Sequence, residues 1–454
     1  MTSPAGRLRA FATLTLVVLC QASASAQTLP IPAPPAVDDP QLAPLPVAPR
    51  VLQSWDDALT QVRMQSPDLR ATIDNVVRAE AQIRVALSNV LPNANAQISF
   101  AHQFVTSREP VSGPDVVYPL QDVWGVGWNL LWPIGSAQAW YARDTAAQAA
   151  AVAQLDLGEK RRMIAQAVVG TMLGTLAAQR VAELNRVGLR AALERLALTK
   201  SRTALGSGTA LDVERAEQDV AAARALVITG DEALRQTWES LGLALGSTTP
   251  VAAPGSLDVV DFEKAVAGTC RVSDDVEKRP DVQAARARVA LADRGIQNVW
   301  LSFAPTFLLE SQFLWNSQVL YGPNTNWDVA AVLNVPIWDG GARYGQLRDA
   351  HAAADQARTA LTAARLNALV QIAQSMRAVT VSVASRDVAQ QQRDLAYSID
   401  QRTREGYTHG LGTSLDLVTS AQALRQAEIN LALLQFQTSQ ARVLSVLSNA
   451  ECVY

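Results

Sequence analysis

The feature that most constrains this chain is that it carries the same punctuation twice, in the same order. Ser66, Pro67, Asp68 and Leu69 return as Arg279, Pro280, Asp281 and Val282, and Pro92 returns as Pro305, both 213 positions later. Pro133, within Leu131 to Gly135, returns 203 positions later as Pro336, within Asn334 to Trp338. The run from Gly206 to Asp212 (GSGTALD) returns 204 positions later as Gly410 to Asp416 (GLGTSLD). Four anchors in one order at nearly fixed spacing establish an internal duplication, with one shorter loop in the second copy.

Within each copy the hydrophobic period changes twice. From Asn93 to Phe104 the even positions read Ala94, Ala96, Ile98, Phe100, His102 and Phe104 against Asn93, Asn95, Gln97 and Ser99, which is a strand pattern. After a loop holding Pro110, Gly113, Pro114 and Pro119, a second strand sets Trp124, Val126, Trp128, Leu130 and Trp132 on one face. The second copy repeats this with Phe307, Leu309, Phe313 and Trp315, then Trp327, Val329, Ala331, Leu333 and Val335. Proline is then absent between Ile134 and Thr249, and from Ile337 to Tyr454. An interior proline destabilises a helix by about 3 kcal/mol, so these gaps permit very long helices. Helices of roughly 70 residues, on the order of 100 Å, are expected from Gly135 to about Leu205 and from Gly340 to about Tyr407. Glycines at 206 and 208, and at 410 and 412, break them, and helices return to about Ala244 and Ser448.

The strands, about 11 residues each, have the length that crosses a bilayer when tilted, and five of the ten tryptophans lie on their apolar faces. Indoles favour the boundary between lipid and water. Four strands cannot close a membrane barrel, and an open edge in lipid leaves backbone groups unpaired, so several chains must share one barrel. The long helices carry too many Arg, Gln and Asp residues to sit in lipid and are expected to project from it, packed side by side.

The first residues read as a secretory signal: Arg7 and Arg9, an apolar run from Phe11 to Cys20, then Ala24, Ser25 and Ala26. Cleavage after Ala26 is expected. Lipidation at Cys20 is disfavoured by Leu19 before it, where a small residue normally stands. Without the signal, 37 basic residues face 42 acids, which argues against a nucleic-acid partner. His102, His351 and His409 are far apart, and no metal-ligand, phosphate-loop or nucleophile pattern is present, so neither an enzyme nor a cofactor is expected. The expected layout is a signal (1–26), a proline-rich linker (27–50), the first copy (51–248), a linker (249–275), the second copy (276–450) and a C-terminal tail (451–454). Cys270 and Cys452, in an oxidising compartment, are either a disulfide or two free thiols.

Over residues 51–450 the chain resembles the outer-membrane efflux family, whose type member is TolC. The most specific part is the second turn, Glu405 to Asp416 (EGYTHGLGTSLD). The resemblance implies a mixed α/β membrane protein: a homotrimer whose 12-stranded transmembrane β-barrel, four strands per chain, continues into a periplasmic α-helical barrel. It also implies closed helix tips that dock a periplasmic adaptor, here through Gly206, Gly208, Gly410, Leu411 and Gly412. Tyr407 and Asp212 match a tyrosine and an aspartate that bond between neighbouring helices of the closed tip. Asp416 matches the first of two aspartates ringing the entrance; the second falls at Thr419, and an arginine of the type member's latch falls at Gly412. Residues 249–275 would lie at the equator of the helical barrel, where Cys270 could meet Cys452. The function implied is that of a passive exit duct in the outer membrane, driven by an inner-membrane transporter, of ABC type by preference and RND type otherwise. The cargo leans to a protein toxin, as in the type I secretion duct of an adenylate cyclase haemolysin system, with drug or small-molecule efflux as the alternative. A periplasmic coiled-coil adaptor without a pore is the rival from another class.

Overall fold

A computed structural model describes residues 37–102, 104, 122–206, 208–255, 259–272, 275–317, 323–452 and 454. The expected signal with Cys20, and the loop that includes Pro110 and Pro119, lie outside these residues.

In chain order the elements are β1 (Arg50–Val51), α1 (Trp55–Gln65), α2 (Pro67–Ser88), β2 (Asn93–His102), β3 (Asp122–Gly135), α3 (Ala137–Ala204), α4 (Ala210–Leu245), β4 (Val251–Ala252), α5 (Val259–Thr269), β5 (Cys270–Val272), α6 (Pro280–Leu301), β6 (Thr306–Asn316), β7 (Thr325–Asn334), α7 (Ala342–Thr408), α8 (Ser414–Leu447) and β8 (Ala450–Cys452). The series α2-β2-β3-α3-α4 is followed by α6-β6-β7-α7-α8 in the same order. Local chemistry sets the starts: Pro67 and Pro280 open α2 and α6 at positions where an absent N–H is harmless, and Ser66 accepts a bond from the Leu69 N–H. α3 begins at Ala137 rather than at Gly135, because β3 continues through Pro133 to Gly135. The register against β6 shifts between Trp132 and Gly135, so the proline sits in an irregularity that needs no ladder N–H.

β2, β3, β6 and β7 form one antiparallel sheet in that order, with β2 and β7 as its outer strands. Cross-strand partners keep the faces apart. Phe100 opposes Trp124, Trp128 opposes Phe313 and Phe313 opposes Trp327 on one face, while Asn95 opposes Asn129 and Gln312 opposes Asp328 on the other. Among the described residues no helix is long and apolar enough to cross a membrane.

The main core lies at the waist. There Ile164, Val168, Met172 and Leu173 of α3 pack with Leu241 and Leu245 of α4, Trp55 and Leu59 of α1, Phe262 and Val266 of α5, and Leu447 of α8. A smaller core joins Leu189 and Ala192 of α3 to Val220, Ala223 and Val227 of α4 farther along the hairpin.

The segments that precede the first copy and follow the second are both held in place. Where it is described, the linker of residues 27–50 is seated on α3 and α4 rather than free of packing. Buried Asp39 pairs with Arg224 at 2.8 Å, Arg186 donates to the Ala43 carbonyl, and β1 pairs in parallel with β4. The 451–454 tail is likewise held. β8 pairs with β5, a disulfide joins Cys270 to Cys452 as register partners, and the Tyr454 hydroxyl donates to the Arg161 carbonyl at 2.6 Å. Burial pushes the Tyr454 phenol well above its ordinary range.

Candidate functional site

The two glycine-rich turns face solvent at the end of the long helices. In each, one glycine takes the left-handed backbone that side chains resist: Gly206 at φ 76° and Gly410 at φ 77°. The second glycine permits close approach. A Cβ at Gly208 would lie 2.6 Å from the Thr203 hydroxyl, and one at Gly412 would lie 3.3 Å from the Tyr407 nitrogen. Thr209 and Asp212 then form a capping box that starts α4, and Thr413 and Asp416 form the equivalent box for α8.

The turns are also joined to each other. The Ser414 hydroxyl donates to Asp212 across the two hairpins. The Arg202 guanidinium lies 4.3 Å from the centre of the Tyr407 ring, and its Nη1 donates to the Tyr407 carbonyl at 2.7 Å. The bond from Ser414, followed by those from Thr209, holds the Asp212 carboxyl below the usual carboxylate range.

Within one chain, then, Asp212 and Tyr407 each have other partners. Asp416 is exposed and bonded to Thr413, which lowers its pKa. Thr419 is exposed, and its hydroxyl donates back to the carbonyls of Leu415 and Asp416. Leu411 stands 87% exposed at the apex of the second turn. Sequence reasoning missed Arg202 and Ser414. Aligning the copies pairs Tyr407 with Thr203, one residue from Arg202, so comparing neighbourhoods rather than single positions would have found the arginine.

At the other end the polar face of the sheet is concave, with a cavity of about 450 Å³ whose lining includes Gln97, Asn129, Glu310, Gln312 and Asp328. On the apolar face Ser311 is satisfied locally: it accepts from the Trp327 indole and donates to the Asp328 carbonyl. A polar concave face backed by an apolar aromatic one suits the wall of a water-filled pore in lipid.

Known proteins share this architecture. The structure superposes on CusC with a TM-score of 0.74 at 17% identity, covering 91% of this chain and 98% of that one. It superposes on the outer membrane protein VceC of Vibrio cholerae with a TM-score of 0.71 at 19% identity, covering 87% and 95%. In sequence it is 28% identical to the fusaric acid resistance protein FusA of Burkholderia cepacia over 66% of this chain and 58% of that protein. It is 22% identical to the pyoverdine export outer membrane protein OpmQ of Pseudomonas aeruginosa over 85% of this chain and 83% of that protein. The pattern of the outer membrane efflux protein family matches residues 58–247 and 272–444. The chain therefore belongs to the outer membrane efflux protein family: a transport conduit rather than an enzyme, set in the outer membrane with a large helical part in the periplasm.

Proposed function

We propose that three copies of this chain close one barrel and act as the exit duct of a tripartite efflux system, passing small molecules from an inner-membrane pump and a periplasmic adaptor to the exterior. The observation that carries this reading is the four-stranded sheet: β2 pairs only with β3 and β7 only with β6 among the described residues, which leaves one edge of each unpaired. Both edges would lie in lipid, where unpaired backbone groups are prohibitively unfavourable, and each finds a complement only in the next copy. The named roles of its relatives in fusaric acid resistance, pyoverdine export and toluene efflux support small molecules as cargo. The toxin reading retains one argument, the large Leu19 before Cys20, which fits the lipid-free signals of secretion ducts.

The tip is the gate of this duct. Arg202 on Tyr407 and Ser414 on Asp212 hold the second hairpin against the first, and an adaptor that contacts the exposed turns at Gly206, Gly208, Gly410, Leu411 and Gly412 shifts that packing. Asp416 and Thr419, exposed beside it, would meet cargo at the entrance. Fractionation and export assays test the whole. A heat-modifiable trimer in outer-membrane fractions is expected, together with export of small aromatic acids that is lost on deletion of the gene. A soluble monomer would favour the adaptor, and loss of a secreted protein alone would favour the toxin duct.

A further inference from the structure

The end of α8 and the start of α6 both lie against α3 and α7, and a cavity of about 660 Å³ opens where they meet. Its lining includes Arg162, Arg279, Gln166, Gln371, Gln374 and Gln440. Both arginines are buried, Arg162 at 4% exposure and Arg279 at 2%. Each nitrogen of Arg162 has a partner: two bonds go to Glu159, and Nη1 donates to the Leu447 carbonyl. Arg279 is not. Its Nε faces Asp281 at 2.9 Å and its Nη2 donates to Gln371, but its Nη1 has no hydrogen-bond partner among the described residues.

Arg279 is also the residue before α6, a helix of 22 residues, and it gives that helix no side-chain cap, so the positive end of the helix adds to the same place. Burial, and then the neighbouring Arg162, push the Arg279 pKa down in spite of Asp281 and Glu159. Glu159 and Asp281 line the cavity as well, so two arginines face two carboxylates, and it is the unpaired N–H of Arg279 that lacks an acceptor.

We propose that this cavity is an oxyanion site, taking a phosphate, sulfate or carboxylate between Arg279 and the surrounding glutamine amides. A bound oxyanion gives the unpaired guanidinium N–H an acceptor and answers the repulsion between the two arginines. Gln440 and Leu444, which line the cavity, lie on the side of α8 opposite Arg442, which faces Glu263 of α5 at 3.8 Å. The site rests on the geometry of a single chain; only its placement toward the lumen depends on the duct reading.

The test is calorimetric titration and thermal unfolding of the detergent-solubilised protein with sodium phosphate, sulfate or benzoate, against sodium chloride of equal ionic strength. Saturable binding and a raised Tm are expected, with affinity weakened about tenfold or more in Arg279→Gln and partly kept in Arg279→Lys. Gln440→Glu, which brings its own carboxylate, is expected to raise the Tm in chloride and to abolish the response. A response to phosphate and sulfate alone identifies a resident inorganic ion, and one that includes benzoate identifies acidic cargo. Responses equal to chloride, or an undiminished response in Gln440→Glu, overturn the proposal, and neither readout involves conduction.

Discussion

α3 and α7 hold the same place in the two copies and have nearly the same length, 68 and 67 residues, yet one is buried by its own chain and the other is not. Met172 and Met376 make the contrast at a single position, since they lie 204 residues apart, the same offset as the two turns. Met172 is fully buried in the waist core, whereas Met376 is 66% exposed. α3 packs against α2, α4, α6 and α8, while α7 packs mainly against α6 and α8. Its free side carries Leu366, Val370, Val381, Val388, Leu395 and Ile399, at spacings of 4, 7 and 11 that keep them on one face. Duplicating a sequence did not duplicate its burial. The chain covers α3 itself and leaves one face of α7 bare, the face that the proposed assembly would use as its seam.

The sharpest way to break this contrast is to place charge on the seam. Val381→Asp combined with Leu395→Asp is expected to abolish the trimer, because an unpaired carboxylate buried at each seam costs on the order of several kcal/mol. The fold of the chain should survive, as both positions are exposed within it. Light scattering in detergent and heat-modifiable mobility read the assembly, and circular dichroism reads the helices. An intact trimer would show that α7 does not meet a neighbour through this face.

The two methionines supply the next effect. Met172→Ala removes a fully buried side chain from the waist and is expected to destabilise the chain by about 2–5 kcal/mol. Met376→Ala should be within about 0.5 kcal/mol of neutral in dissociated protein. In the trimer it should matter only as far as the seam covers it. Chemical unfolding of both variants, with and without prior dissociation, measures the pair. Equal effects in the dissociated chain would erase the distinction between the helices.

Much of this contrast could be read before the structure, but only in part. The proline gaps, the two glycine turns and the alternating tryptophan strands announced α3, α7 and the sheet, because long uninterrupted periods leave few local alternatives. The many Arg, Gln and Asp residues placed the long helices outside lipid. What stayed hidden was which of two similar helices its own chain would cover. That depends on α1, α5 and the β5–β8 pairing, short elements whose contacts join residues about 180 positions or more apart, such as Trp55 with Thr269 and Cys270 with Cys452. At the tip, the glycines at 206, 208, 410 and 412 were legible as the breaks between helices. The contacts of Arg202 with Tyr407 and Ser414 with Asp212 were not, since they depend on how the two hairpins lean together.

That leaning can be sharpened by removing its two ties. Arg202→Ala and Ser414→Ala each delete one contact between the hairpins, and each is expected to weaken the closed tip by about 1 kcal/mol. Together they should raise the open probability in planar bilayers by about tenfold or more, since about 1.4 kcal/mol is a factor of ten. A double-mutant cycle reports whether the ties act as one latch. A double variant that stays as closed as the wild type would move the gate away from these residues.

The smallest effect expected near neutrality is that of pH, and its sign follows from Asp212. Hydrogen bonds from Ser414 and Thr209 lower its folded pKa, so the carboxylate adds stability that is present above the unfolded value of about 3.9 and is lost as pH falls through the lower folded one. Between about pH 5 and 8 the closed-state conductance should therefore be flat, and it should rise only below about pH 4, once the carboxyl takes up its proton. Asp212→Asn should leak at neutral pH and lose that acid rise. Asp416→Asn should leave the midpoint where it is, because exposed Asp416 caps its own helix and ties nothing across the hairpins. A midpoint between pH 5 and 7 would remove Asp212 from the latch.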